Sequence, residues 1–193
     1  MSAVPQLTGA QYLGLVLAKY AVATGQGSPA MNAFGGIVPV LKQWAGVHLS
    51  QVFPSGSFAK GTTVAGTTDI DLFVSLKHTT PGTLEDLYEN LYTRAQQEGW
   101  APRRQNVSIG INYNGAKVDL VPGRLQPGST TYHSLWRRKA QTWTQTNVGL
   151  HVSTVRNSNR TNEIRLMKIW RQCHGLDFPS FYLGVLTRRI VSI

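Results

Sequence analysis

Only nine of the 193 residues are acidic, and three of these stand among apolar neighbours where a casual surface acid is not expected. Asp69 and Asp71 lie in Asp69-Ile70-Asp71-Leu72-Phe73-Val74, and Asp119 lies in Val118-Asp119-Leu120-Val121-Pro122. Side chains alternate along a strand, so Asp69 and Asp71 share one face while Ile70, Leu72 and Val74 point to the other. Two adjacent carboxylates repel and raise each other's pKa. A hard divalent cation such as Mg²⁺ removes that cost, binding carboxylate oxygen together with substrate phosphate. Neighbouring strands lie ~4.8 Å apart, so Asp119 on an adjoining strand is within reach of a shared metal. Two cations bridged by such a trio stabilise the attacking and leaving oxygens of an in-line displacement at phosphorus. One carboxylate can also help deprotonate the attacking hydroxyl. Upstream, Pro54-Ser55-Gly56-Ser57-Phe58-Ala59-Lys60-Gly61-Thr62 supplies a small-residue turn. Gly56 and Ser57 suit a turn whose N–H groups and hydroxyl hold a phosphate. The chemistry implied is phosphoryl or nucleotidyl transfer.

These residues need elements to carry them. A strand over 49–54 delivers the turn, a helical turn over 59–64 follows, and the first two acids open a strand over 69–76. Asn114-Gly115 joins strands over 107–113 and 116–122 in a hairpin, the outer strand of which carries Asp119. Helices are expected over 8–24, capped by Thr8, over 29–45 with a kink at Pro39, and over 83–97, capped by Thr83 and stopped by Gly99. Gly123 to Ser134 reads as a connector. Beyond it the pattern turns helical and basic, with a short helix over 134–141 and a poorly defined polar stretch over 142–161. A helix then runs from Thr161 or Asn162 to about Cys173, and another opens at Pro179. The fold class is α+β: a mixed or antiparallel sheet flanked by helices, with a catalytic core and N-terminal helices over 1–125 and a C-terminal helical lobe over 126–193.

Composition narrows the class further. The chain is 41% hydrophobic, enough for a globular core. No apolar run approaches the ~18 residues of a membrane span, and no basic segment precedes an apolar one at the N-terminus. Cys173 is the single cysteine, which excludes a disulfide framework and suits a reducing cytoplasm. It reads as a helix-packing thiol. The net charge of +10 is lopsided: residues 1–123 hold 8 Lys/Arg against 7 Asp/Glu, and residues 124–193 hold 11 against 2. A basic half of this kind faces a nucleoside triphosphate, a nucleic acid or both, unless it is simply a solvated face. The run from Tyr132 to Trp143, with Arg137, Arg138 and Lys139, can stack on a base or serve as core plus solvated face. Lys60 is either a phosphate contact or an exposed helix lysine. The five histidines share no spacing and are read as neither catalytic nor metal-bound.

Gly56-Ser57, Gly61-Thr62, Asp69-Ile70-Asp71 and Val118-Asp119-Leu120-Val121-Pro122 together resemble the signature of the DNA polymerase β-type nucleotidyltransferases. The resemblance is nearest to the oligoadenylate synthetase and cGAS/DncV-like (CD-NTase) branch, and it covers roughly residues 30–184. It implies that Asp69, Asp71 and Asp119 hold two Mg²⁺, with Mn²⁺ able to replace them. It also implies that Gly56 and Ser57 hold the triphosphate. The segments Asn162–Arg171 and Pro179–Leu183 are similar to the branch's helical segment, which implies that Lys168 and Ser180 contact the triphosphate tail. The product implied is a cyclic or 2′–5′-linked oligonucleotide second messenger of antiviral defence. Members of the branch usually continue with several more helices, so the C-terminal lobe is expected to be truncated and the activity of the chain alone to be weak or absent. Two alternatives stay open: nucleotidyl transfer to RNA ends or to a protein, and a catalytically inactive nucleotide- or nucleic-acid-binding module.

Overall fold

The computed structural model describes residues 6–66 and 69–178. Two helices open it. Helix α1 (Gly9–Lys19) starts with Thr8, whose hydroxyl accepts from the Gln11 N–H while the Gln11 side chain accepts from the Thr8 N–H. This reciprocal cap satisfies two N-terminal donors that the helix cannot. The helix ends at Lys19, short of the expected residue 24, and buries none of its residues. Helix α2 (Pro29–Ala45) is capped by Ser28 and buries Ala30, Ala33, Ile37, Leu41 and Ala45 along one stripe.

Strand β1 (Leu49–Pro54) leads into α3 (Gly56–Lys60). The helical turn expected over 59–64 therefore begins three residues early, and Gly56-Ser57 forms its first turn instead of preceding it. Strand β2 (Ile70–Leu76) follows, with Asp69 just ahead of it. Helix α4 (Leu84–Gln97) carries a second reciprocal cap, Thr83 with Asp86, and buries Leu87, Tyr88, Leu91 and Ala95. Strand β3 (Arg103–Arg104) is short. Strands β4 (Ile109–Tyr113) and β5 (Ala116–Leu125) form the expected hairpin. Both turn residues, Asn114 (φ 49°) and Gly115 (φ 84°), are left-handed, as the tight two-residue turn requires.

Among the described residues the sheet runs β1-β2-β5-β4-β3, and every pairing on that path is antiparallel except β2 with β5, which is parallel. The strand bearing Asp119 is thus central, not the outer strand expected of it. A hairpin turn fixes only the β4–β5 pair. The neighbour on the other side of β5 comes from 48 residues upstream and is a tertiary choice.

A second departure follows residue 125. Strands β6 (His133–Arg137) and β7 (Thr142–Thr146) extend the sheet from the end of β5, where a short helix over 134–141 and an undefined stretch were expected. The burial alternates, with His133 and Leu135 at 4% and 6% exposure. The period-2 signal was masked because one inward residue is a histidine. Helices α5 (Val148–Arg156) and α6 (Thr161–Cys173) close the described chain. On α6, Ile164 and Ile169 are buried, but Met167, Trp170 and Cys173 are exposed, so the packing role expected of the thiol is not its role. Its sulfur lies 3.6 Å from the Tyr20 hydroxyl. The segment from Pro179, with Ser180, lies outside the described residues.

The core lies between the sheet and helices α2 and α4. Ile70, Leu72, Val74 and Leu76 meet Val118, Leu120, Ile109 and Ile111 there. The opposite face of β2 is covered too. Phe73 packs against Phe53 and edge-on against His133, with centroids at 5.3 and 4.8 Å. Among the described residues no helix is long and apolar enough to cross a membrane.

Candidate functional site

Asp71 and Asp119 are register partners on the parallel pair β2–β5. Their side chains therefore leave the same face of the sheet, next to each other. Opposite Asp71, the end of β1 turns into α3: the Ser55 N–H donates to the Asp71 carbonyl at 2.7 Å, and Gly56 follows with φ 56°. A Cβ built on Gly56 would run into the Asp71 carboxylate. Only glycine tolerates both that backbone and that proximity. The first turn of α3 and the Asp71 carboxylate are thus in direct contact.

Burial pushes the Asp71 carboxyl up to about 6, and the charges of Asp119 and Asp69 add to the rise. Lys60 and Lys168 act the other way. Asp119 is also raised, by burial first and then by Asp69. The expectation of mutually repelling carboxylates is met, with desolvation as the larger cause. Asp69 is exposed beside them.

Among the described residues, no three or more His, Cys, Asp or Glu side chains form a ready-made metal cage. This is compatible with the chemistry of Mg²⁺, which takes one or two carboxylates and completes its octahedron with phosphate and water. Asp71 and Asp119 set hard oxygen donors side by side on one face of the sheet, and their half-burial leaves that negative charge poorly solvated. On that ground the donor set fits a divalent cation.

Lys168 reaches the site from α6. Its ammonium donates to the Thr62 carbonyl at 2.9 Å and lies 3.3 Å from the Thr62 hydroxyl. Burial, with Lys60 and Arg171 nearby, lowers its pKa to about 8. Burial also lowers Lys60, against the pull of Asp71, so Lys60 is a half-buried cation at the site and not an exposed helix lysine. Helix α3 and the segment after it are held from several sides: Thr62 and Val64 are buried, the Ala65 N–H donates to the carbonyl of Tyr20 at the end of α1, and Arg156 donates to Ala59 at 2.7 Å. So α1 and α6 bear on the segment leading to Asp69, and α5 on α3 ahead of it.

Sequence reading missed the support of Asp119. Gln105 donates its amide N–H to Asp119 Oδ1 at 2.8 Å, and Ser108 donates to Gln105 Oε1 at 2.9 Å. Neither residue carries a motif; a polar pair just ahead of an apolar strand was the only available sign. The Tyr132–Trp143 run forms the β6–β7 hairpin, with Tyr132 and Trp143 exposed, and its Arg138 donates to the carbonyl of Gln105, the residue that supports Asp119.

No protein-family model matches the chain. It is 26% identical over 148 residues to the cyclic AMP-AMP-AMP synthase of Escherichia coli (strain MS 115-1), covering 69% of this chain and 46% of that protein. The chain thus spans about half the length of the curated relative it matches. The solved structure of E. coli MS115-1 CdnC with ATP aligns at a TM-score of 0.67 with 20% identity, over 92% of this chain and 64% of that one. The Elizabethkingia meningoseptica CdnE cyclic dinucleotide synthase with GTP and Apcpp aligns at 0.72 with 17% identity, over 92% and 74%. These matches bear out the resemblance and the α+β fold read from the sequence.

Proposed function

We propose, for a chain that has the fold of the CD-NTase branch of polymerase β-type nucleotidyltransferases and resembles it in sequence, a Mg²⁺-dependent nucleotidyl transfer that makes a cyclic or 2′–5′-linked oligonucleotide. The observation that carries this reading is the register pairing of Asp71 with Asp119 against the Gly56 turn. In the proposed reaction Gly56 and Ser57 hold the triphosphate, and Lys168 and Ser180 contact its tail. Asp69, Asp71 and Asp119 would hold two Mg²⁺ or Mn²⁺. When bound, the cations supply charge neutralisation at the attacking and leaving oxygens. A ribose hydroxyl attacks the α-phosphorus: the new O–P bond forms as the bond to pyrophosphate breaks, and a site carboxylate takes the hydroxyl proton. Half-buried Lys60 and buried Lys168 add positive charge where the β and γ phosphates would lie. The division into a core over 1–125 and a lobe over 126–193, antiviral signalling as the biological role, nucleic-acid contact through the basic half and a cytoplasmic location belong to the same proposal.

Incubation of the purified chain with labelled ATP or GTP and Mg²⁺ or Mn²⁺ tests it. Small phosphatase-resistant products, absent from Asp71→Asn, are expected. Label on RNA or protein would move the acceptor, and wild-type turnover by Asp71→Asn would overturn the metal assignment. Nucleotide binding without turnover would leave a binding module.

A further inference from the structure

Asp119 is opposite Gly110 on β4, and a Cβ on Gly110 would lie 2.7 Å from Gln105 Nε2 and 3.2 Å from Asp119 Oδ1. The absent side chain makes room for an amide to reach a carboxylate. Gln105 is anchored through both backbone and side chain. Its backbone N–H donates to the Ser108 carbonyl at 3.0 Å, and its side-chain Oε1 accepts from the Ser108 hydroxyl. Its backbone carbonyl accepts from the Tyr88 hydroxyl at 3.0 Å and from Arg138 at 3.3 Å. Tyr88 itself is fully buried on α4, and its hydroxyl also reaches the Ser108 carbonyl at 2.9 Å. With Oε1 taken by a hydroxyl donor, only the NH₂ end is left for Asp119. An ionised carboxylate only accepts, so the orientation is chemically determined.

We infer that Gln105 is a positioning residue for Asp119. It binds Oδ1 toward β4, so that Oδ2 is the oxygen Asp119 offers toward Asp71 and a shared cation. Without that bond, repulsion from Asp69 and Asp71 and the gain from hydration both favour swinging the carboxylate away. Tyr88 and Ser108 pass the rigidity of α4 to the carboxylate through Gln105. Hydrogen-bond partners of metal-binding carboxylates typically change metal affinity 10–100-fold when removed. The inference rests on the cation-binding role proposed above for Asp119.

The test is calorimetric titration of Mn²⁺ into the full 193-residue chain saturated with a non-hydrolysable ATP analogue, alongside thermal melts. Gln105→Leu is expected to weaken Mn²⁺ binding about tenfold while nucleotide affinity without metal is unchanged. A merely structural role would lower the melting temperature and leave Mn²⁺ affinity as in wild type, which would overturn the inference. If Gln105→Leu does not fold, Gln105→Met decides: it keeps the length of the side chain without its N–H donors and should weaken Mn²⁺ several-fold, and unchanged affinity there would overturn the inference. Asp119→Asn separates the two readings. If it binds Mn²⁺ like wild type, or wild type binds none, the cation role itself falls. If it loses Mn²⁺ while Gln105→Leu keeps it, only the positioning role falls.

Discussion

The Asp71 carboxylate occupies the space that a side chain on Gly56 would need, and Gly56 sits in the left-handed region at φ 56°. A strand acid and a helix-opening glycine from different elements are therefore fitted to each other. Gly56→Ala meets two penalties at once, backbone strain and collision. We expect destabilisation of at least ~1 kcal/mol and loss of nucleotidyl transfer by about 10²-fold, since misplacement of about 1 Å can cost that much. Melting curves and pyrophosphate release measure the two effects separately.

Asp71 makes the cation-free protein pH-sensitive in a definite direction. Its carboxyl is raised to about 6 in the folded chain and lies in the ordinary range when unfolded. Between those limits only the folded state keeps the proton, so this group's contribution to stability falls as pH rises toward and through about 6. Divalent cations need the ionised form, so Mn²⁺ affinity should rise with pH over the same window. Asp71→Asn should flatten the contribution and raise the melting temperature at pH 7.5, by an effect on the order of 3 kcal/mol. A variant that melts below wild type at that pH would contradict this.

His133 pulls the other way. Its Nδ1–H donates to the Thr131 carbonyl at 3.1 Å, which leaves Nε2 to accept from the Ser75 hydroxyl at 2.7 Å. Burial lowers its pKa. The folded state resists the proton that the unfolded state takes up, so its stabilising share is present above the usual histidine value and is lost as pH falls below it. Ser75→Ala, which leaves a buried Nε2 unpaired, should cost ~1–3 kcal/mol in chemical denaturation. His133→Phe should reduce the acid sensitivity.

Lys168 ties α6 to the loop that leads to Asp69 through its bonds to Thr62. Lys168→Ala leaves the Thr62 carbonyl without that donor and should destabilise the chain by about 1–3 kcal/mol. Lys168→Met fills the space and should recover part of the stability without recovering nucleotide affinity. Equal ATP-analogue binding by Lys168→Met and wild type in calorimetry would remove Lys168 from the triphosphate site.

What the chain's order of residues determined was local. Thr8 and Thr83 begin their helices because a hydroxyl three residues ahead of a free N–H satisfies it, wherever the helix later packs. Asn114-Gly115 forces a tight hairpin by its backbone preferences alone. Gly56, Ser57 and the three aspartates stood out as candidates because a small-residue turn and acids at apolar strand positions are unusual. Tertiary structure decided what depends on distant partners. It put β5 beside β2 in parallel, so that Asp119 became a central-strand residue in register with Asp71. It turned residues 133–137 into a strand whose inward histidine found Ser75, and it brought Gln105 and Lys168 to the aspartates. Strand pairing and side-chain hydrogen bonds between remote segments depend on which surfaces meet, and a one-dimensional pattern of polarity does not encode that meeting.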